Sequence, residues 1–164
     1  MKLTILYHSK TGNTKGIAEI IAEGARDAGE VEVRCMSIDN VDYDYINNSD
    51  AVIFGCPTYY ANLSWQIKKW FDEDSKACKL GGKLGAAFAT ENTIGGGADF
   101  ALLTLAGHML VKGMLIYSGG TAEGHPITHY GIVCIKNGDE EQKKRARIFG
   151  KRIAMKAIEL FTKG

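Results

Sequence analysis

The sequence predicts an α/β fold, a parallel sheet covered by helices on both faces, and three observations carry that expectation. Short apolar runs alternate with stretches of helical spacing along the whole chain. Two of the runs, residues 51–55 and 84–90, are apolar on both sides of the strand, as strands of a central parallel sheet must be. A length of 164 residues, 45 % hydrophobic and 24 % charged, is enough for a single domain whose core needs no disulfide or structural metal.

The elements follow in order. Residues 3–7 form an apolar run ending at His8 and Ser9, the first strand, and Ile17, Ile20, Ile21 and Ala25 then share one face of a helix. Val31, Val33 and Cys35 alternate with Glu32 and Arg34, which places the second strand near a sheet edge with one polar side. Residues 51–55 make the third strand. Ser64 reads as the N-cap of a helix that buries Ile67, Trp70 and Phe71. Residues 84–90 form the fourth strand and 98–111 a helix. Strand 114–117 is followed by a loop with several glycines, and the apolar piece 132–135 counts as an extension of that fifth strand. The last helix spans 140–161, and its opening charge run, Asp139 to Arg147, sets acids before bases as the helix dipole favours.

Regular β and α alternation with right-handed crossovers puts helices on both faces, and ligands of such sheets bind beyond the carboxyl ends of the strands. The loops that matter are therefore 9–13, 56–63, 91–97 and 118–130. Twenty basic residues against nineteen acidic ones give a formal charge of +1, so no global field draws in nucleic acid or an anionic membrane, and a small ligand is expected instead. No apolar run approaches the ~20 residues of a membrane span, and the chain opens straight into a strand without signal-peptide features, so the expectation is a cytoplasmic protein. Cys35, Cys56, Cys78 and Cys134 form no C-x-x-C pair and read as small buried apolar residues. His125 and His129 lie in a predicted loop without a paired cysteine or carboxylate, and no metal site is expected there.

Ser9-Lys10-Thr11-Gly12-Asn13-Thr14 is rich in hydroxyls and runs directly into a helix whose first N–H groups point back at it. Backbone amides, the positive end of the helix dipole and the hydroxyls together suit a phosphate dianion, which does not require the Lys10 cation. There is no G-x-x-x-x-G-K-[ST], and no G-x-G-x-x-G with an acid about 20 residues later, so the ATPase and dinucleotide readings weaken. The plain alternative is that Thr14 only N-caps the helix and Gly12 only permits a turn.

The loop matches at every position the pattern [ST]-x-T-G-x-T, and on it the chain resembles the flavodoxins. That resemblance implies a flavodoxin-like doubly wound three-layer sandwich, a five-stranded parallel sheet of order 2-1-3-4-5, with FMN at the switch between the first and third strands. Pro57-Thr58-Tyr59-Tyr60-Ala61-Asn62-Leu63, after the third strand, then offers aromatic walls for a flavin ring, with Thr58 and Asn62 to bond its polar edge. Thr90 ends the fourth strand, and the loop after it runs from Glu91 through Asn92, Thr93 and Ile94 into Gly95, Gly96 and Gly97, which let backbone N–H groups approach a ligand. A tyrosine-rich surface loop and a flexible glycine loop are the bland alternatives.

Further words, Val52-Ile53-Phe54-Gly55-Cys56-Pro57-Thr58, Gly82-Lys83-Leu84, Thr104-Leu105-Ala106-Gly107-His108 and Tyr130-Gly131, resemble in order the WrbA branch of this family, NAD(P)H:quinone oxidoreductases. The resemblance implies that His108 touches the flavin site, often within a homo-oligomer, that NADH or NADPH donates electrons, and that a quinone or similar acceptor takes them. The chemistry would belong to the flavin, with no catalytic side chain. Departures bear on the quinone: residues 72–82 are shorter than their counterpart and lack an aromatic that contains the quinone. The loop before the glycine triplet is one residue longer, and the chain after His108 about two longer. The rival is a flavodoxin acting as a non-enzymatic electron carrier between protein partners, and a third reading is an FMN-dependent sensing module. Carriers of this family are typically strongly acidic, which a charge of +1 does not match, although Asp72, Glu73 and Asp74 form a local acidic cluster.

Overall fold

A computed structural model describes residues 1–162. In chain order its elements are β1 (Lys2–Tyr7), α1 (Asn13–Arg26), β2 (Glu32–Ser37), α2 (Tyr43–Asn47), β3 (Ala51–Tyr59), β4 (Asn62–Leu63) and α3 (Trp65–Lys69). There follow β5 (Leu84–Glu91), α4 (Ala98–Val111), β6 (Leu115–Ile116), β7 (Ile132–Ile135) and α5 (Glu140–Phe161). The parallel order is β2-β1-β3-β5, with Ile5 of β1 facing Cys35 on one side and Ile53 on the other.

The fifth position of the sheet is split. β6 pairs with Leu84 and Gly85 at the start of β5, and β7 pairs with Phe88 through Glu91 at its end, both parallel and on the same edge. The expected order 2-1-3-4-5 is therefore present, spread over seven strands because the last position is two pieces and β4 only folds back on β3. The predicted strand 114–117 shortens to two residues, while 132–135 does extend the fifth position. The intervening chain is tied down from α5: Arg152 donates through Nη1 to the Pro126 carbonyl (2.6 Å) and through Nη2 to those of Glu123 (2.8 Å) and His125 (2.9 Å).

Strand alternation sorts the core into two layers. Leu3, Ile5 and Tyr7 point to α1 and α5, meeting Ile17, Ile21, Phe149 and Ile153. Leu6 points the other way, to Phe54, Ile67, Trp70, Leu102 and Leu105. Each such side chain contributes about 1.5–3 kcal/mol on full burial. In the first layer α1 and α5 touch backbone to backbone: a Cβ on Gly24 would lie 1.8 Å from the Arg147 carbonyl oxygen, and one on Gly150 2.0 Å from that of Ile21. That approach outweighs the roughly 0.5–1 kcal/mol that glycine costs inside a helix.

Helix ends follow local chemistry. Asp139 accepts from the Gln142 N–H (2.8 Å) at the start of α5, and Asp42 accepts from the Tyr45 N–H (2.9 Å) to open α2, a helix the periodicity did not show. Ser64 does occupy the N-cap position of α3 but its hydroxyl makes no cap bond. The predicted helix is also interrupted: α3 ends at Lys69, and a wider π turn (Trp70–Asp74) swings Trp70 and Phe71 against Phe54, ring centroids 6.0 and 5.1 Å away. All four cysteines are free. Burial pushes the thiols of Cys56 and Cys134 up to about 12 and those of Cys35 and Cys78 up to about 11, so none is a thiolate at neutral pH. Among the described residues no helix is long and apolar enough to cross a membrane.

Candidate functional site

The carboxyl ends of β1, β3 and β5 open onto a cleft of about 220 Å³, bounded by Lys10, Thr11, Asn13 and Thr14 on one side, Pro57, Thr58 and Tyr59 on another, and Thr90, Glu91 and Asn92 on the third. It lies where successive crossovers part company, α1 going to one face of the sheet and α3 to the other, which is where open α/β sheets hold ligands. Its volume is below the 300–1,000 Å³ usual for a drug-sized ligand. A larger molecule would fill it with one end and lie across its mouth with the other.

The first loop is built for an anion. Gly12 takes the N-cap position of α1 at φ 95, and its N–H donates to Ser9 Oγ (3.2 Å), which folds the loop over the helix start. The first helical bond runs from Gly16 N to Gly12 O (2.9 Å). Among the described residues nothing accepts from the backbone N–H groups of Thr11, Asn13, Thr14 or Lys15. The first turn carries no acidic residue to compete for them. Thr14 is not the cap. It is buried, and its hydroxyl shares a 2.8 Å bond with that of Thr90, which ties the loop to the end of β5. Two hydroxyls joined by one bond leave one O–H free to donate to a ligand oxygen.

In the second loop Thr58 pairs with Leu63 and Tyr59 with Asn62, so Tyr60 and Ala61 form a two-residue hairpin turn, both with positive φ (47 and 60). The turn separates the two tyrosines. Tyr59 lines the cleft, while Tyr60 stands fully exposed at the tip and does not line it. Asn62 spends its side-chain oxygen on the Leu63 N–H (2.8 Å). The Thr58 hydroxyl oxygen is buried without a partner, so it is available to a bound group.

The third loop leans on the second. A Cβ on Gly97, whose φ is 94, would lie 2.4 Å from the Ala61 Cα, so only glycine lets the two meet. Glu91 is committed to structure: its Oε2 accepts from the Ala98 N–H (3.1 Å) at the start of α4. Gly95 and Gly97 line a neighbouring groove with Phe100 and Val133, and Gly96 donates to the Thr93 carbonyl (3.1 Å).

His108 stands apart from the cleft in a single chain. It lies ten residues into α4, about 15 Å along the helix axis from Ala98, because the crossover sends α4 back antiparallel to the strands. Its ring packs on Phe71 (4.6 Å between centroids) and its Nδ1 lies 2.8 Å from the Thr104 carbonyl, so within one chain it does not reach the cleft. His8 was overlooked. As the residue that closes β1 beside Ser9 it is buried, and desolvation lowers its pKa against the opposing pull of Asp39. The period-2 pattern already placed it on the Leu6 side, facing inward.

The flavodoxin family model matches residues 5–101. A protein named flavodoxin from Clostridium saccharobutylicum is 53 % identical over 161 residues, 98 % of this chain and all of that one. The chain belongs to the flavodoxin family. An NAD(P)H dehydrogenase (quinone) from Archaeoglobus fulgidus is 27 % identical over 188 residues, 97 % of this chain and 98 % of that one. Among solved structures, a flavodoxin from the domain Archaea superposes with a TM-score of 0.78 at 26 % identity, covering 96 % of this chain and 99 % of that one. A flavodoxin, WrbA-like protein from Agrobacterium tumefaciens gives 0.77 at 27 %, covering 96 % and 98 %. Similarity to the clostridial flavodoxin far exceeds that to the quinone dehydrogenase, which favours the electron-carrier alternative over the WrbA-type reading.

Proposed function

We propose that this flavodoxin holds FMN in the β1–β3–β5 cleft and carries electrons between protein partners. The observation that carries the reading is the set of unclaimed amides at the start of α1, an anion cradle on the rim of the cleft. FMN supplies reversible uptake of one or two electrons, and the protein supplies its placement. The N–H groups of residues 11 and 13–15, with the Ser9 and Thr11 hydroxyls, bind the phosphate. The Thr14–Thr90 pair donates its spare proton to a ligand oxygen nearby, and the buried Thr58 hydroxyl bonds the polar edge of the ring. Tyr59 covers one ring face and shields it from water. Tyr60, projecting from its strained turn, stands where a partner would approach. With a charge of +1, docking depends on such local contacts rather than on a global field.

A second reading, an oxidoreductase passing electrons from NADH or NADPH to a quinone, is favoured by the full-length match to the archaeal quinone dehydrogenase. Two measurements separate them. Apoprotein titrated with FMN quenches the flavin fluorescence, and if it does not, both readings fail. Holoprotein reduced stepwise passes through two resolved one-electron stages and keeps its colour with excess NADH or NADPH; prompt bleaching by either nucleotide would overturn the carrier reading.

A further inference from the structure

A buried polar side chain normally finds a hydrogen-bond partner. His8 is 8 % exposed, and among the described residues neither Nδ1 nor Nε2 has one. Its backbone is firmly placed, because its N–H donates to the Gly55 carbonyl (3.1 Å) and extends the β1–β3 ladder by one residue. That register sets His8 beside Cys56, the residue before Pro57, and Pro57 lines the cleft. On its other side comes Ser9, whose Oγ accepts from the Gly12 N–H (3.2 Å) and shapes the anion loop. His8 thus lies at the floor, between cleft and cradle. The lysines nearest in sequence, Lys10 and Lys15, are exposed, and Lys15 faces Glu19 at 3.9 Å.

We infer, given FMN in this cleft, that His8 is a proton-linked cation of the phosphate cradle: seating the phosphate dianion raises its hold on a proton, so FMN binding and proton uptake are coupled. The groups facing His8 set the sign. From the turn after β2, Asp39 favours the protonated ring, but desolvation outweighs it, and His8 is neutral at pH 7 while the cleft is empty. From β3, the neighbouring Cys56 thiol is pushed up to about 12 and carries no charge. From β1 itself, the Tyr7 phenol is raised by burial and is neutral as well. α3 turns Ile67 into this layer, while its Lys68 and Lys69 are exposed and paired with Asp72 and Glu73. A dianion in the cradle therefore adds a negative charge that no buried neighbour already cancels. Contact is not needed, since two unit charges about 10 Å apart at an effective dielectric of about 20 change a binding constant about 10-fold.

Proton NMR of the sequentially assigned His8 ring, on the full chain with and without saturating FMN, tests this without any variant. The midpoint of the His8 titration moves to higher pH in the holoprotein. A flavin that merely buried the ring more deeply would move it lower. Fluorescence titration supplies a second readout. Between pH 8 and 5 the FMN affinity of the parent relative to His8→Gln grows, by up to about 10-fold, and protonation of the FMN phosphate itself cancels in that ratio. Asp39→Asn, at an exposed position outside the cleft, leaves FMN affinity at pH 8 unchanged and shifts the rise of the ratio to lower pH. A midpoint unmoved or lowered by FMN, or a ratio constant across the range, would overturn the inference and leave the cofactor reading standing. Failure of FMN to quench at any pH would remove both.

Discussion

Replacing Gly97 by alanine probes the contact that holds the two ring-side loops together. Alanine in a left-handed conformation costs about 1–2 kcal/mol. Its Cβ would sit 2.4 Å from the Ala61 Cα, where ordinary contact begins at 3.4 Å, so the hairpin must retreat by about 1 Å. Overpacking of that order adds about 1–3 kcal/mol, for a total of about 2–5 kcal/mol. At about 2–4 °C per kcal/mol for a chain of this size, Tm falls by about 4–20 °C. The turn at Tyr60 and Ala61 already holds two non-glycine residues at positive φ, so it is the part that gives, and FMN affinity drops about 10-fold or more. Gly95→Ala is the control: φ is 76 but nothing lies within 4 Å of the new methyl, so only the conformational cost of about 1–2 kcal/mol remains. Calorimetry and FMN fluorescence titration on both variants decide the matter. Equal losses of Tm, or a Gly97→Ala protein that binds FMN as tightly as the parent, would refute the reasoning.

Thr14→Val strips the Thr90 hydroxyl of its buried partner, which lowers stability by about 1–3 kcal/mol, and calorimetry with and without FMN shows the deficit widening in the holoprotein. Arg152→Met releases the four carbonyls of residues 123–126, so amide exchange in the 117–131 segment speeds up about 10-fold or more while Tm moves little; uniform exchange across the chain would count against this. His8 gives a pH signature. Its native pKa lies below the ordinary 6.5, so on acidification the unfolded chain takes up the proton first; stability is full above pH 6.5 and falls as the pH drops toward the native value. His8→Gln removes that slope, and parallel Tm profiles for parent and variant below pH 6.5 would show the histidine is not its source.

The long elements were legible because they have both a period and a stop. The helix at 98–111 begins after a glycine and the one at 140–161 after an aspartate that caps it, and both bounds match the structure. α2 escaped notice because five residues hold little more than one turn of periodicity, leaving only the Asp42 cap as a signal. β4 was hidden for a different reason: its hairpin turns at Tyr60 and Ala61, residues that rarely adopt positive φ, so no turn signature marks it. Of the candidate site, the three loops could be found because strand polarity alone assigns them to one rim. The division of labour within them could not. That Thr14 meets Thr90, or that Glu91 caps α4, depends on the register between β1, β3 and β5, which no local pattern encodes. His108 shows the reverse case: the length of α4 puts it away from the cleft of its own chain, and the resemblance assigned it a role often within an oligomer.

The divided rim of the sheet has a bearing on how the protein behaves in crowded solution. An intact outer strand would offer a foreign chain a continuous row of unpaired amides and carbonyls on which to grow a cross-β stack. Here β6 and β7 present runs of only two and four residues, with a loop pinned by Arg152 rising between them. The opposite margin, β2, exposes Glu32 and Arg34. Short runs on one border and charged side chains on the other are both features that work against edge-to-edge growth.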